Sequence, residues 1–198
     1  MKQTDGKKVI FVCTGNTCRS PMAEAIFRSE AKRRGLAVSV CSAGTDVAQS
    51  RGMNLYSLRT LANHGLSIEN FTPTQLTLEH IESAFAVVCM TESQKELLTN
   101  AYARWKSLPV SAVESVYAYS DFCGYSIPDP YGGVMEDYGR TFDALVGGMS
   151  AIIEKLFANE SEKKTDNSSG KTPKNPQGQP KKKKSGARKR ASKKENDL

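Results

Sequence analysis

The stretch from Val9 to Pro21 reads Val-Ile-Phe-Val-Cys-Thr-Gly-Asn-Thr-Cys-Arg-Ser-Pro, and it admits few folds. Four strongly apolar residues in a row have no polar face, so they fit a strand buried on both sides, as in a parallel sheet. The run stops at Cys13. Gly15 and Asn16 then offer unusual backbone conformations at little cost. Ser20-Pro21 reads as a helix start, with Ser as the cap and Pro at the first helical position. A strand that breaks through a short loop into a helix gathers backbone N–H groups around one small space. Those donors and the positive helix end suit a tetrahedral dianion. Cys13 opens the loop and Arg19 closes it, in a C-x5-R-S pattern, and such surroundings favour a thiolate. A thiolate beneath a bound phosphate is a nucleophile aimed at phosphorus. A cysteine ending a strand is usually core and a lone arginine usually surface; their pairing at a strand–helix junction is what carries the reading.

The rest of the chain alternates between apolar runs and helical patterns. Residues 22–34 form a predicted helix stopped by Gly35, with Arg33 and Arg34 in its last turn. Residues 38–41 read as a second strand leading into Ser42-Ala43-Gly44, and 55–63 as a helix ended near Gly65. Residues 85–90 form a third buried strand, followed by Thr91 and Gln94 in a capping-box pattern. Residues 113–119 make a fourth strand. In the final helix, Phe142, Leu145, Val146, Met149, Ile152, Ile153, Leu156 and Phe157 recur at three- and four-residue steps. This order implies an α/β domain with a parallel sheet covered on both faces. In such sheets ligands bind beyond the carboxyl ends of the strands, where Cys13 lies.

Charge divides the chain in two. Residues 159–198 carry 13 Lys/Arg against 5 Asp/Glu, while residues 1–158 are close to neutral at a net −1. The tail has almost no apolar residue except Ala187, Ala191 and Leu198, so a disordered basic extension is expected after a domain spanning 1–158. Its clusters Lys181–Lys184 and Arg188-Lys189-Arg190 lack aromatic companions. Any contact with nucleic acid or another anionic surface should therefore be electrostatic and salt-dependent, and a merely solubilising tail remains the alternative. No signal peptide and no apolar run of membrane-spanning length is evident. Five cysteines without CxxC spacing argue against a disulfide framework or structural zinc, and point to a reducing, cytoplasmic setting. Cys41, Cys89 and Cys123 read as small core or loop residues. His64 and His80 carry no catalytic pattern.

The nucleophile loop resembles that of the low-molecular-weight protein tyrosine phosphatases, a likeness that covers about residues 8 to 157. It implies a three-layer, flavodoxin-like sandwich with a four-stranded sheet, a monomer acting on phosphorylated proteins, and no metal or other cofactor. It also implies an Asp-Pro general acid in a late loop, which matches Pro128-Asp129-Pro130-Tyr131-Gly132-Gly133. In this reading Cys13 accepts the phosphoryl group, Arg19 grips two equatorial oxygens, and the amides of Thr14, Gly15, Asn16, Thr17, Cys18 and Arg19 complete the cradle. Ser20 donates to the thiolate, and Asp129 protonates the leaving group before activating water. The resemblance further implies a reversible Cys13–Cys18 disulfide, with simple packing of Cys18 beneath the loop as the alternative.

Thr17 bears on the substrate. Tyrosine-directed members usually carry an apolar residue there, whereas threonine resembles the protein arginine phosphatases of the same family. A threonine hydroxyl can accept from the N–H groups of a phosphoguanidinium, and Asp129 can pair with the same planar group. Gly132-Gly133 also resembles the arginine enzymes; Tyr131 departs from them, since phenylalanine is common there. Phosphoarginine is the expected substrate, with phosphotyrosine the alternative. Arsenate reductases that share this loop use two further cysteines close together, a relay that Cys89 and Cys123 do not form. Gly170-Lys171-Thr172 lacks the first glycine and preceding strand of a nucleotide loop. Asn159 and Asn167 match glycosylation acceptors only formally.

Overall fold

The apolar run becomes the interior of a sheet. In the computed structural model, which describes residues 6–48 and 52–161, β1 (Lys8–Cys13) lies between β2 (Ser39–Gly44) and β3 (Ala86–Cys89). A short edge strand, β4 (Val116–Ala118), completes the order β2-β1-β3-β4. Every pairing is parallel, with Cys13 opposite Gly44 and Val12 opposite Cys89. The chain leaves β1 toward one side to form β2 and later crosses to the other side for β3. That reversal opens a crevice at the carboxyl end of β1, the position at which flavodoxin-like sheets bind ligands.

Side-chain alternation along β1 assigns the helices to two layers. Val9 and Phe11 pack with Met22 and Phe27 of α1 (Arg19–Arg33) and with Leu145 and Ile152 of α6 (Met135–Ser161). Ile10 and Val12 face the opposite side, against Ile81 of α3 (Leu78–Ser83) and Leu98 of α4 (Glu92–Lys106). The helices α2 (Leu55–Asn63) and α5 (Ser120–Cys123) pack against α6 and complete the first layer. The result is the expected three-layer sandwich. No described helix is long and apolar enough to cross a membrane.

Several boundaries differ from the sequence reading, each for a local reason. Helix α1 begins at Arg19, with Cys18 at its N-cap and no side-chain cap, so Ser20 lies inside the helix. Pro21 still falls in the first turn, where a missing N–H costs nothing. Helices α3 and α5 are too short to show an apolar period. A capping box between Thr77 and His80 starts α3, and Gly124 at φ 80 follows α5. β4 is shorter than 113–119: it follows a 3-10 turn at Val110–Ala112, begins at Val116 and stops at Ala118, because Tyr119 already has helical angles (φ −56, ψ −36) as the cap of α5. β2 runs on to Gly44, beside Cys13. Helix α6 passes residue 158 after its backbone departs from helical angles at Phe157 (φ −128, ψ 17). The remainder of the expected tail, 162–198, lies outside the described residues.

Gly44 ties the fold to the loop after β1. A Cβ there would sit 2.6 Å from the Thr14 carbonyl oxygen, 2.6 Å from Val47 Cγ2 and 3.0 Å from Asn16 Cβ. Gly44→Ala should therefore lower stability by about 1–3 kcal/mol through overpacking. Gly139→Ala, where a Cβ meets nothing within 4 Å inside α6, should instead raise it by about 0.5–1 kcal/mol. Urea unfolding of the two variants checks the contrast.

Candidate active site

The loop from Cys13 to Arg19 is shaped by where its carbonyls go. The Cys13 carbonyl accepts from the Thr45 N–H at 3.0 Å, the Thr14 carbonyl from Asp46 at 2.9 Å, and the Thr17 carbonyl from Asn54 at 2.9 Å. The Cys18 carbonyl accepts from Met22 as α1 begins. In a trans peptide the N–H points opposite to the preceding C=O. Anchoring these carbonyls on neighbouring segments thus turns the Thr14, Gly15, Cys18 and Arg19 N–H groups the other way. A cavity of about 290 Å³ lies there, lined by Cys13, Thr14, Gly15, Thr17, Cys18, Arg19, Asp46, Ala48, Asp129 and Tyr131.

Asn16 holds the loop in this shape. Its φ of 52 is in the left-handed region, which asparagine tolerates better than most side chains. Its fully buried carboxamide donates to Ser20 Oγ at 2.9 Å and to Ser42 Oγ at 3.0 Å, and accepts from the Thr74 N–H at 2.8 Å. Ser42 in turn donates to the buried Glu24 carboxylate at 2.7 Å, which Arg28 also contacts. Ser20 Oγ lies 3.0 Å from Cys13 Sγ. With Asn16 donating into its oxygen, the Ser20 hydrogen has two acceptors in reach, the Ala43 carbonyl at 3.3 Å and the Cys13 sulfur, and a negatively charged sulfur would draw it.

Arg19 enters the same space from the first turn of α1. Its side chain is almost fully buried, and its Nη2 meets Asp129 Oδ2 at 2.5 Å. Among the described residues its Nε is a buried donor with no hydrogen-bond partner. An orphaned guanidinium donor beside inward-facing amides fits an anion with several acceptor oxygens. Asp129 itself is 51% exposed and reaches in from outside. Its loop is fixed by the Ile127 N–H on the Met90 carbonyl, beyond the end of β3, and by Thr141 Oγ1 on the Pro128 carbonyl. The Tyr131 N–H returns to Asp129 Oδ1 at 3.2 Å, and Tyr131 is exposed at the cavity mouth.

A family profile described as low molecular weight phosphotyrosine protein phosphatase matches residues 8–164. The chain belongs to this phosphatase family. It is 37% identical over 149 residues to the protein-arginine-phosphatase of Bacillus subtilis, an alignment covering 75% of this chain and 95% of that one. It is 30% identical over 142 residues to the low molecular weight protein-tyrosine-phosphatase PtpB of Staphylococcus epidermidis, covering 70% and 91%. A solved structure of the YwlE arginine phosphatase, a mutant with a phosphorylated active-site serine, superposes with a TM-score of 0.68 at 31% identity, covering 78% of this chain and 98% of that one. Members of the family are hydrolases, and the cysteine-dependent phosphatase chemistry read from the loop belongs with them.

In and around this cavity the structure brings together every residue singled out in the loop, together with Asp129 and Tyr131. Cys18 is buried, with its sulfur 3.5 Å from Thr17 Oγ1 and 3.8 Å from the Tyr138 hydroxyl. Burial, then the proximity of Cys18, pushes the Tyr138 phenol above the usual tyrosine range. All five cysteines are free. Burial pushes the Cys89 thiol up to about 12, so that sulfur is inert packing. Among the described residues, no cluster of His, Cys, Asp and Glu is arranged to hold a metal.

The sequence reading missed Asp46, Ser42, Glu24 and Gln94. Thr91 caps α4 as expected, but the Gln94 side chain accepts from the Met90 N–H and donates to Thr14 Oγ1 instead of closing a capping box. Asp46 and Ser42 could have been flagged by their place near the carboxyl end of β2, once β2 was known to lie beside β1. Glu24 carried no signal, because only the Ser42 contact distinguishes it from a surface helix residue. If the Ser20 hydroxyl supports the sulfur anion, Ser20→Ala should slow alkylation of Cys13 by iodoacetamide near neutral pH roughly tenfold, an interaction on the scale of one charge-assisted hydrogen bond. An unchanged rate would remove Ser20 from that role.

Proposed function

We propose that this phosphatase hydrolyses phosphoarginine on proteins, through a phosphocysteine formed at Cys13. The observation that carries the proposal is the convergence of Cys13, Arg19, Asp129 and Thr17 on one cavity. Arg19 already contacts Asp129, so an aspartate able to touch the phosphate-gripping guanidinium can also reach an atom leaving phosphorus. An incoming phosphoryl group competes for Arg19 and supplies acceptors for its unpartnered Nε.

The reaction then runs in two balanced steps. The Cys13 thiolate attacks phosphorus in line; the S–P bond forms as the P–N bond breaks, and the electron pair goes to nitrogen. Protonated Asp129 gives that nitrogen its proton, and arginine departs as a guanidinium. The Asp129 carboxylate next takes a proton from water, whose oxygen attacks phosphorus. The S–P bond breaks, the thiolate returns, and inorganic phosphate leaves. Loop amides and Arg19 hold the equatorial oxygens throughout.

Thr17 supports arginine over tyrosine, since its hydroxyl in the cavity wall can accept from a phosphoguanidinium N–H. The higher identity to the Bacillus subtilis relative than to the Staphylococcus epidermidis one supports the same choice. We read Cys18 as the partner of Cys13 in a reversible disulfide formed under peroxide. We read residues 159–198 as a basic tether to polyanionic partners, acting beside the phosphatase activity. A cytoplasmic location fits a chain whose proposed activity depends on a reduced thiol.

The deciding experiment compares kcat/KM on matched phosphoarginine and phosphotyrosine peptides. The wild type should favour phosphoarginine, and Thr17→Ile should shift the ratio toward phosphotyrosine by about 10- to 150-fold, the range of one hydrogen bond to a charged group. A wild-type preference for phosphotyrosine would return the chain to the tyrosine-directed members. An unmoved ratio in Thr17→Ile would remove Thr17 as the selector.

A further inference from the structure

The cavity has a second carboxylate, and its backbone is fastened more firmly than that of an ordinary loop residue. Asp46 lies just past the end of β2 and lines the space with Cys13, Arg19 and Asp129. Its N–H is bonded to the Thr14 carbonyl, one residue after the sulfur-bearing Cys13, at 2.9 Å. Its neighbours are held as well. The Thr45 N–H is on the Cys13 carbonyl, the Val47 N–H on Gln75 Oε1 at 3.0 Å, and Gln75 Nε2 on the Thr45 carbonyl at 2.9 Å. Gly44, before them, is pressed so closely on Thr14 that no Cβ fits. Residues 44–47 therefore form a strap bound to the phosphate loop itself. The Asp46 side chain is exposed, and it has no hydrogen-bond or ion-pair partner among the described residues.

The charges of the cavity are thus arranged by depth. Arg19 and the inward-facing amides make its floor positive, while Asp46 and Asp129 supply negative charge above it. A phosphotyrosine presents a dianion on a neutral ring, so a second carboxylate near the mouth can only repel it. A phosphoguanidinium presents a dianion joined to a planar cation, and the two halves match the floor and the carboxylates in turn. We infer that Asp46 is a specificity-determining residue, a second carboxylate that with Asp129 receives the cationic guanidinium of phosphoarginine. This rests on the phosphoarginine reading and deepens it: Thr17 supplies an acceptor, and Asp46 supplies charge. Asp46 touches neither phosphorus nor the breaking bond in this account. Its contribution is to binding, and it weakens as salt screens an exposed charge.

The test compares wild type, Asp46→Asn and Asp46→Glu on phosphoarginine and phosphotyrosine peptides whose flanking residues are uncharged, at low and high salt. Asp46→Asn should lower the phosphoarginine-to-phosphotyrosine ratio of kcat/KM by about 2- to 5-fold at low salt, a size set by exposed charge pairs. The loss should appear chiefly as a higher KM for phosphoarginine, shrink as salt rises, and be largely restored in Asp46→Glu. An unchanged ratio in Asp46→Asn, or an equal fall on both substrates, overturns the inference while leaving the phosphoarginine reading intact. A wild-type enzyme that does not turn over phosphoarginine overturns that reading first, and this inference with it.

Discussion

One buried carboxamide holds the rest of the site in register. Asn16 adopts a left-handed backbone conformation and directs both amide hydrogens and its carbonyl oxygen to Ser20, Ser42 and the Thr74 backbone. Those three partners come from α1, β2 and the segment leading to α3. The loop can keep its N–H groups turned inward only while its carbonyls stay anchored outward, and Asn16 fixes the curve that lets both happen. In a low-dielectric interior such a network is rigid when complete and costly when broken. The chain continues the network to a buried Glu24 balanced by Arg28, so charge is placed behind the loop without standing unpaired.

This arrangement explains why the nucleophile belongs at the end of β1. The sheet reverses its direction of growth there, so Cys13 is flanked by β2 on one side and by β3 on the other. β2 contributes Gly44 and the strap carrying Asp46; β3 leads to Met90, whose carbonyl anchors the loop of Asp129 through Ile127. The catalytic groups are thus hung on strand ends, while the helices supply the apolar cover that keeps the strands straight.

What could be read in the sequence was local. Val9 to Val12 showed a buried strand by lacking any polar residue, and Cys13 through Ser20 showed a phosphate loop because its chemistry lies on consecutive residues. Ser20-Pro21 misled about the helix start because a serine that caps and a serine that faces a cysteine sulfur look alike in sequence. Asp129 was legible only through the family resemblance, since an Asp-Pro turn is common by itself. Asp46, Ser42, Glu24 and Gln94 were hidden for one reason: each acts through a segment distant in sequence. The helices α3 and α5 were hidden by length, being too short to repeat a pattern.

The central claim is that phosphate passes through Cys13, and the most direct measurement is acid-quench mass spectrometry of the enzyme mixed with a phosphoarginine peptide. The wild-type enzyme, quenched within a single turnover, is the form to use, because Asp129 serves both the formation and the hydrolysis of the intermediate. The account predicts a transient phosphate adduct on the tryptic peptide that contains Cys13, absent in Cys13→Ala, which offers phosphorus no nucleophile. Turnover that proceeds with no adduct at Cys13, or an adduct found on another residue, would contradict it.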